Sequence, residues 1–176
     1  TRDLKIYERL RSEAEELGNY PVDLLACVPP SLVYRDSEIS FSIPGQVIHQ
    51  SGGLVWDATA VDVREQYPTA RDALRIVQYD SCRGLEGWTV INYAFDEFYE
   101  YKYKQRMDAP DELGETFDTK EALAAAFAAQ WAMIPMTRAM DTLVINISNR
   151  SSSLKDVLKA VYEKRRDYIE WVEIDQ

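Results

Sequence analysis

Leu74–Ala94 reads LRIVQYDSCRGLEGWTVINYA. It holds two apolar runs, Leu74–Tyr79 and Trp88–Ala94, on either side of a short polar segment with two glycines, Asp80–Gly87. Each run has the length of a strand and is apolar almost throughout instead of alternating. A strand of that kind is buried on both faces, which is the mark of a parallel sheet covered by helices.

The neighbouring segments repeat the pattern. Upstream, Leu4, Tyr7, Leu10, Ala14 and Leu17 recur at helical spacing, predicting a helix over Asp3–Leu17 with Gly18 as its stop. Asp23–Val28 is a third apolar strand, ended by Pro29-Pro30. In residues 31–56, Glu38–Ile43 alternates like a strand, while Pro44-Gly45 and Gly52-Gly53 mark turns. Residues 57–72 read as short helix and loop.

Downstream, residues 95–106 fit helix or strand. Met107–Asp118 carries five acids and no base and reads as a solvated loop. Asp118 with Glu121 forms a capping pair that opens an apolar helix, with a kink or break expected at Pro135. Thr142–Ile147 is a buried strand. Ser153 with Asp156 caps an amphipathic helix over Ser153–Asp167, and Ile169–Ile174 is a final strand candidate. Strands alternating with helices argue for an α/β fold with a mostly parallel sheet.

Composition bounds the function. Of 176 residues, 46% are apolar, enough for a core, and the net charge is −10. A freestanding nucleic-acid binder is usually basic, so charge argues against that role for this segment by itself. No apolar run reaches membrane-spanning length, and no signal-like segment opens the sequence. Cys27 and Cys82 suggest neither a metal site nor a disulfide framework, which fits a reducing, cytoplasmic compartment. His49, the single histidine, reads as an ordinary loop residue. The first residue is Thr1, so a piece of a longer protein is expected.

No GxxxxGK[ST] loop, GxGxxG or GxSxG occurs, so no self-contained triphosphate cradle is legible. Two segments carry chemistry. Ser81-Cys82-Arg83-Gly84-Leu85-Glu86 follows a strand, and ligands of open α/β sheets gather at strand carboxyl ends. A glycine there admits a ligand close to the backbone, and a carboxylate can accept from a ribose hydroxyl. The plain alternative is a turn with solvated charges. Met136-Thr137-Arg138-Ala139 ends the apolar helix. Its guanidinium suits a phosphate, or it caps the helix against the dipole.

Taken together, Gln78–Glu86 (QYDSCRGLE) and Met133–Ala139 (MIPMTRA), the latter followed by the apolar Thr142–Ile145, resemble motifs V and VI of superfamily 1 helicases of the UvrD/Rep/PcrA kind. There, motif V runs approximately T-x-H-x-x-K-G-L-E and motif VI Y-V-A-L-T-R-A. The resemblance spans most of the sequence, and its specificity rests on a handful of residues. It implies a single three-layer RecA-like domain over residues 1–176, of the second or 2A type. An upstream RecA-like domain of the same parent would carry the phosphate loop and bind most of the ATP and Mg²⁺.

On that resemblance Arg138 is the catalytic arginine that reaches the γ-phosphate. Gly84, Glu86, Arg83 and Thr137 lie at the nucleotide, with Glu86 at the ribose. Gln78, Asp80 and Ser81 stand on the nucleic-acid side, facing single-stranded DNA or RNA. The implied activity is that of an ATP-dependent DNA helicase or translocase, with this segment inactive by itself.

Departures from the family pattern are specific. Arg83 stands where Lys is usual, and Gln78 and Asp80 replace Thr and His. Asp80 is expected to repel a phosphate. Pro135 is unusual, and too few residues separate Val33 from Tyr79 for the large inserted domain of the best-known members. Motif IV would lie upstream of Thr1. Phe98–Arg106 (FYEYKYKQR) is a weaker base-stacking candidate, and Lys164-Arg165-Arg166 reads as a solvated helix end. Two rivals remain: a non-catalytic RecA-like interaction module, and a metal-dependent nuclease whose nearest local match is Asp118-Thr119-Lys120.

Overall fold

The computed structural model describes residues 2–36, 39–110 and 119–173. In chain order the elements are α1 (Arg2–Glu16), β1 (Leu24–Val28), β2 (Val33–Arg35), β3 (Ser40–Ser42), α2 (Ile43–Gln50), β4 (Leu54–Asp57), α3 (Val61–Arg64) and β5 (Ala73–Gln78). They continue with β6 (Gly87–Asn92), α4 (Phe95–Met107), α5 (Lys120–Met136), β7 (Ala139–Ile145) and α6 (Ser153–Lys164). Five strands form one sheet in the order β4-β5-β1-β6-β7, and every neighbouring pair is parallel. Strands β2 and β3 make a separate antiparallel pair.

Side-chain alternation along β1 divides the core into two layers. Leu24, Ala26 and Val28 face Ile6, Tyr7 and Leu10 of α1 and Ile48 of α2. Leu25 and Cys27 face Phe95 and Phe98 of α4 and Ala132 of α5. All five residues of β1 are fully buried, which is why its sequence is apolar without a break. The α/β class expected from the apolar runs is the fold observed. Among the described residues no helix is long and apolar enough to cross a membrane.

Several local expectations are corrected. Pro44-Gly45 does not make a turn. Ser42 accepts a hydrogen bond from the Gly45 amide and caps α2, and Pro44 occupies the first helical turn, where its missing N–H costs nothing. Of the strand expected over Glu38–Ile43, Ser40–Ser42 is observed and Ile43 opens α2, while Glu38 lies outside the described residues; His49 sits in a helix. Residues 95–106 are helical. Thr119 caps α5 through the Ala122 amide, while Asp118 lies outside the described residues, as does the rest of the acidic stretch from Asp111.

Helix α5 runs through Pro135 and stops one residue later, so the proline falls in the last turn. Strand β7 starts earlier than expected, because its amino end pairs with β6 from Gly87↔Ala139 onward. Ser152, not Ser153, precedes the first turn of α6, no side-chain cap forms, and the helix ends at Lys164. Residues 169–173 form no strand, and Ile174 lies outside the described residues.

One connection positions the site. Strand β1 lies between β5 and β6, and all three are parallel. The chain leaving the carboxyl end of β5 must therefore cross β1 and return to the amino end of β6 within residues 79–86. A six-residue strand is ~20 Å long, and eight extended residues reach ~27 Å, so there is no slack for a helix. One tight turn, Tyr79–Ser81, is all that fits. Tyr79, Cys82 and Leu85 put the crossing on the α4/α5 face. It ends at Gly87, where a Cβ would stand 2.9 Å from Leu25 Cβ and 3.1 Å from the Asp23 carbonyl oxygen.

Candidate functional site

The crossing segment divides the residues singled out from sequence between the two ends of the sheet. Arg83, Gly84 and Glu86 reach the amino end of β6, which corrects the expectation that they stand at a strand carboxyl end, where ligands of open α/β sheets gather. There Gly87 N–H donates to the carbonyl oxygen of Arg138 at 3.1 Å. Two segments some fifty residues apart in the chain thus meet side by side, as neighbouring strand entries in the sheet. Thr137 and Arg138 belong to this group. Gln78, Asp80 and Ser81 stay behind at the carboxyl end of β5.

Arg138 has a rigid base. It leaves α5 directly into β7, and its amide donates to the Pro135 carbonyl. Its Nε donates to the Ile134 carbonyl oxygen at 3.1 Å, and Nη2 donates to Thr137 Oγ1 at 3.0 Å. Thr137 Oγ1 in turn donates to Ile134 O. The guanidinium is therefore folded onto the carboxyl end of α5, where a cation complements the helix dipole by about 0.3–1 kcal/mol. This is the capping alternative, realised in the structure. The side chain is half-buried.

The crossing segment is held mainly through its backbone. Arg75, on the β5 face beneath it, donates from Nη2 to the Glu86 carbonyl oxygen at 2.7 Å. Burial pulls the Arg75 pKa down, against the pull of Asp23. The Glu86 side chain is exposed, and among the described residues it has no hydrogen-bond or ion-pair partner. Gly84 is exposed with φ +79°, and a Cβ there would meet nothing within 4 Å. Glycine is needed at 84 for its backbone conformation, not for room. Cys82 is fully buried and in hydrogen-bond contact with Cys27. That contact and burial drive the Cys27 thiol well up, while the same contact draws the Cys82 thiol down.

At the carboxyl end the Asp80 and Ser81 side chains are occupied. Asp80 accepts an ion pair from Lys102 of α4 at 2.7 Å, with the Lys102 side chain only 4% exposed. Asp80 itself is exposed, and its carboxylate is the counter-charge of the buried Lys102 ammonium. Ser81 Oγ accepts from Arg64 Nη1 at 3.2 Å. Gln78 is half-buried and paired in register with Val28.

Arg83 lies over the Trp131 ring with its guanidinium carbon 4.7 Å from the centroid, and the Lys102 ammonium sits 3.9 Å from the same centroid. Two cations thus grip one indole, tying the crossing segment to α4 and α5. Within Phe98–Arg106, Phe98 and Lys102 point into the core, so the stretch is not a continuous stacking surface.

Sequence reading missed Lys102, Trp131 and Arg75. Lys102 had a signal: Phe95, Phe98 and Lys102 share one helical face, and a lysine on an apolar face calls for a buried partner. Trp131 and Arg75 had none.

Among the described residues no group of three or more His, Cys, Asp or Glu side chains is arranged to hold a metal. Compared with protein-family models, with curated proteins and with solved structures, the chain matches none.

Proposed function

We propose that the chain is the second motor domain of an ATP-dependent superfamily 1 DNA helicase or translocase, completing an ATP site whose phosphate loop lies in an upstream domain of the same parent. The observation that supports this reading is the meeting of Arg83–Glu86 with Thr137–Arg138 at the amino end of β6 and β7. Nothing in the two sequence motifs required them to be neighbours in space.

The chemistry asked of this chain is electrostatic. Phosphoryl transfer builds charge on the transferring oxygens, and a positioned arginine stabilises it. ATP with Mg²⁺ supplies the reacting phosphate and most of its own binding through the upstream domain. Arg138 reaches that phosphate by leaving its cap on Ile134, which costs about 0.3–1 kcal/mol. An arginine in that role contributes ~10³–10⁵ in rate, or about 4–7 kcal/mol, so the exchange favours the transition state. Thr137 guides the side chain. The unpaired carboxylate of Glu86 accepts from a ribose hydroxyl, and Gly84 offers open backbone. Cleft closure on ATP and opening on hydrolysis would then step single-stranded nucleic acid along the protein.

The reading is tested by ATP turnover of the full parent protein. Arg138→Ala is expected to lower turnover ~10³-fold or more with the fold intact. Wild-type turnover in that variant removes Arg138 from the reaction. A second reading, a RecA-like interaction module without ATPase chemistry, is favoured by one observation: Arg138, Arg83 and Asp80 all have structural partners already.

A further inference from the structure

Strand order brings together two cysteines that the sequence keeps far apart. Cys27 stands in β1, the middle strand of the sheet, and Cys82 stands in the crossing segment. Alternation along β1 turns Leu25 and Cys27 toward the α4/α5 face. The crossing from β5 to β6 passes β1 on that same face, so Cys82 comes to lie against Cys27. Both are 0% exposed and belong to one packed cluster, and the two thiols are in hydrogen-bond contact.

The two are held differently. Cys27 is pinned by strands on both sides, in register with Val77 of β5 and Asn92 of β6, and its carbonyl oxygen accepts from the Tyr93 amide at 2.9 Å. Cys82 joins two short turns. Its amide donates to the Tyr79 carbonyl oxygen at 3.4 Å, and its carbonyl oxygen accepts from the Leu85 amide at 3.1 Å. The next two residues, Arg83 and Gly84, are exposed. Cys82 is thus the sulfur that can move, and the one a small reagent reaches when the segment opens locally. A disulfide brings two sulfurs to ~2.05 Å, and the approach falls to Cys82.

We infer that Cys27 and Cys82 are a redox-active pair that closes to a disulfide when the protein meets a peroxide, pinning the crossing segment to the central strand. Cys82 starts the reaction. Its contact with Cys27 outweighs burial and draws its thiol toward the thiolate, and the Arg138 charge acts in the same direction. The thiolate attacks one oxygen of hydrogen peroxide, the O–O bond breaks, and hydroxide leaves. The Cys27 sulfur then attacks the sulfenic acid formed at Cys82. The S–O bond breaks as the S–S bond forms, and the Cys27 proton departs with the hydroxyl as water. In all, the two thiols give up two electrons, and one peroxide becomes two waters. A thiol already in contact traps the sulfenic acid before a second peroxide carries it to the irreversible sulfinic acid. A reducing compartment keeps the pair open, so the bond forms under oxidative challenge and reverts with thiol reductants. The inference does not depend on the ATPase reading.

The test treats this chain, folded and reduced, with hydrogen peroxide, alkylates the remaining thiols in denaturant, and maps tryptic peptides by mass spectrometry. Loss of both free thiols is expected, with residues 12–35 linked to residues 76–83 and the link undone by dithiothreitol. In Cys27→Ser the link is absent and Cys82 takes up dimedone, the reagent for sulfenic acid. In Cys82→Ser, Cys27 stays unmodified. Both variants alter a packed cluster, so the wild-type chain carries the test by itself. Three results overturn the inference. The first is both thiols still alkylated at a peroxide dose that consumes glutathione in a parallel tube. The second is Cys82 driven to sulfinic acid with Cys27 left free. The third is a disulfide that joins two chains, seen as a dimer on a non-reducing gel, in place of the internal link.

Discussion

The two ends of the crossing segment 79–86 contrast in how their side chains are used. At the carboxyl end of β5, Asp80 and Ser81 are spent on the fold, paired with Lys102 and Arg64. At the amino end of β6, Gly84 and Glu86 are held by backbone geometry and by Arg75, and their outward surface has no protein partner among the described residues. Eight residues therefore serve as an anchor in one half and as available chemistry in the other. Motif letters alone do not distinguish these halves. Partners do.

After the turnover loss expected of Arg138→Ala, the largest effect falls on the anchor. Asp80→Ala leaves the Lys102 ammonium buried without a counter-charge, a class of change that costs about 3–5 kcal/mol. Because Asp80 itself is 43% exposed, the lower end, about 3 kcal/mol, is expected in urea denaturation. Lys102→Met costs less, and the double variant recovers most of the loss, since no buried charge then remains. Additive losses would show that the two side chains do not act as a pair.

Alkaline pH probes the start of the same segment. Tyr79 is fully buried, and its hydroxyl donates to the Tyr93 carbonyl oxygen at 2.8 Å. Burial, and then nearby Cys27, push its phenol well above the usual 10.0. Tyr93 is raised for the same leading reason. Above pH 10 the unfolded chain ionises these phenols and the folded chain does not. Stability is therefore full below pH 10 and falls above it by up to ~1.4 kcal/mol per pH unit for each tyrosine. Tyr79→Phe should flatten part of that decline. An unchanged slope would mean that Tyr79 titrates normally in the folded state.

The smallest effect belongs to the available half. Gly84→Ala meets no atom but places a side chain at φ +79°, which costs about 1 kcal/mol. A thermal shift of that size, without loss of expression, separates conformational need from crowding. A collapse of the fold would show that the loop is more tightly packed than the open space around Gly84 indicates.

The fold was legible because burial on both faces of β1, β5 and β6 leaves runs that are apolar almost throughout. Strand β4 was not, since it is a four-residue edge strand with Leu54 exposed, too short and too mixed to signal itself. Helix α2 was hidden behind Pro44-Gly45, which looks like a turn until Ser42 is seen to cap it. The Arg-Gly-Leu-Glu and Thr-Arg-Ala segments were legible because they are local and ordered along the chain. Their meeting at Gly87 and Arg138, and the grip of Arg83 and Lys102 on Trp131, depend on strand order, which no local pattern encodes.

Photolabelling of the full parent protein with azido-ATP, mapped by mass spectrometry, addresses the division between the two ends most directly. Label on residues 83–87 or 137–140, lost when unlabelled ATP competes, is the predicted result. Label confined to residues 78–81, or competed label that spares this chain altogether, would contradict it.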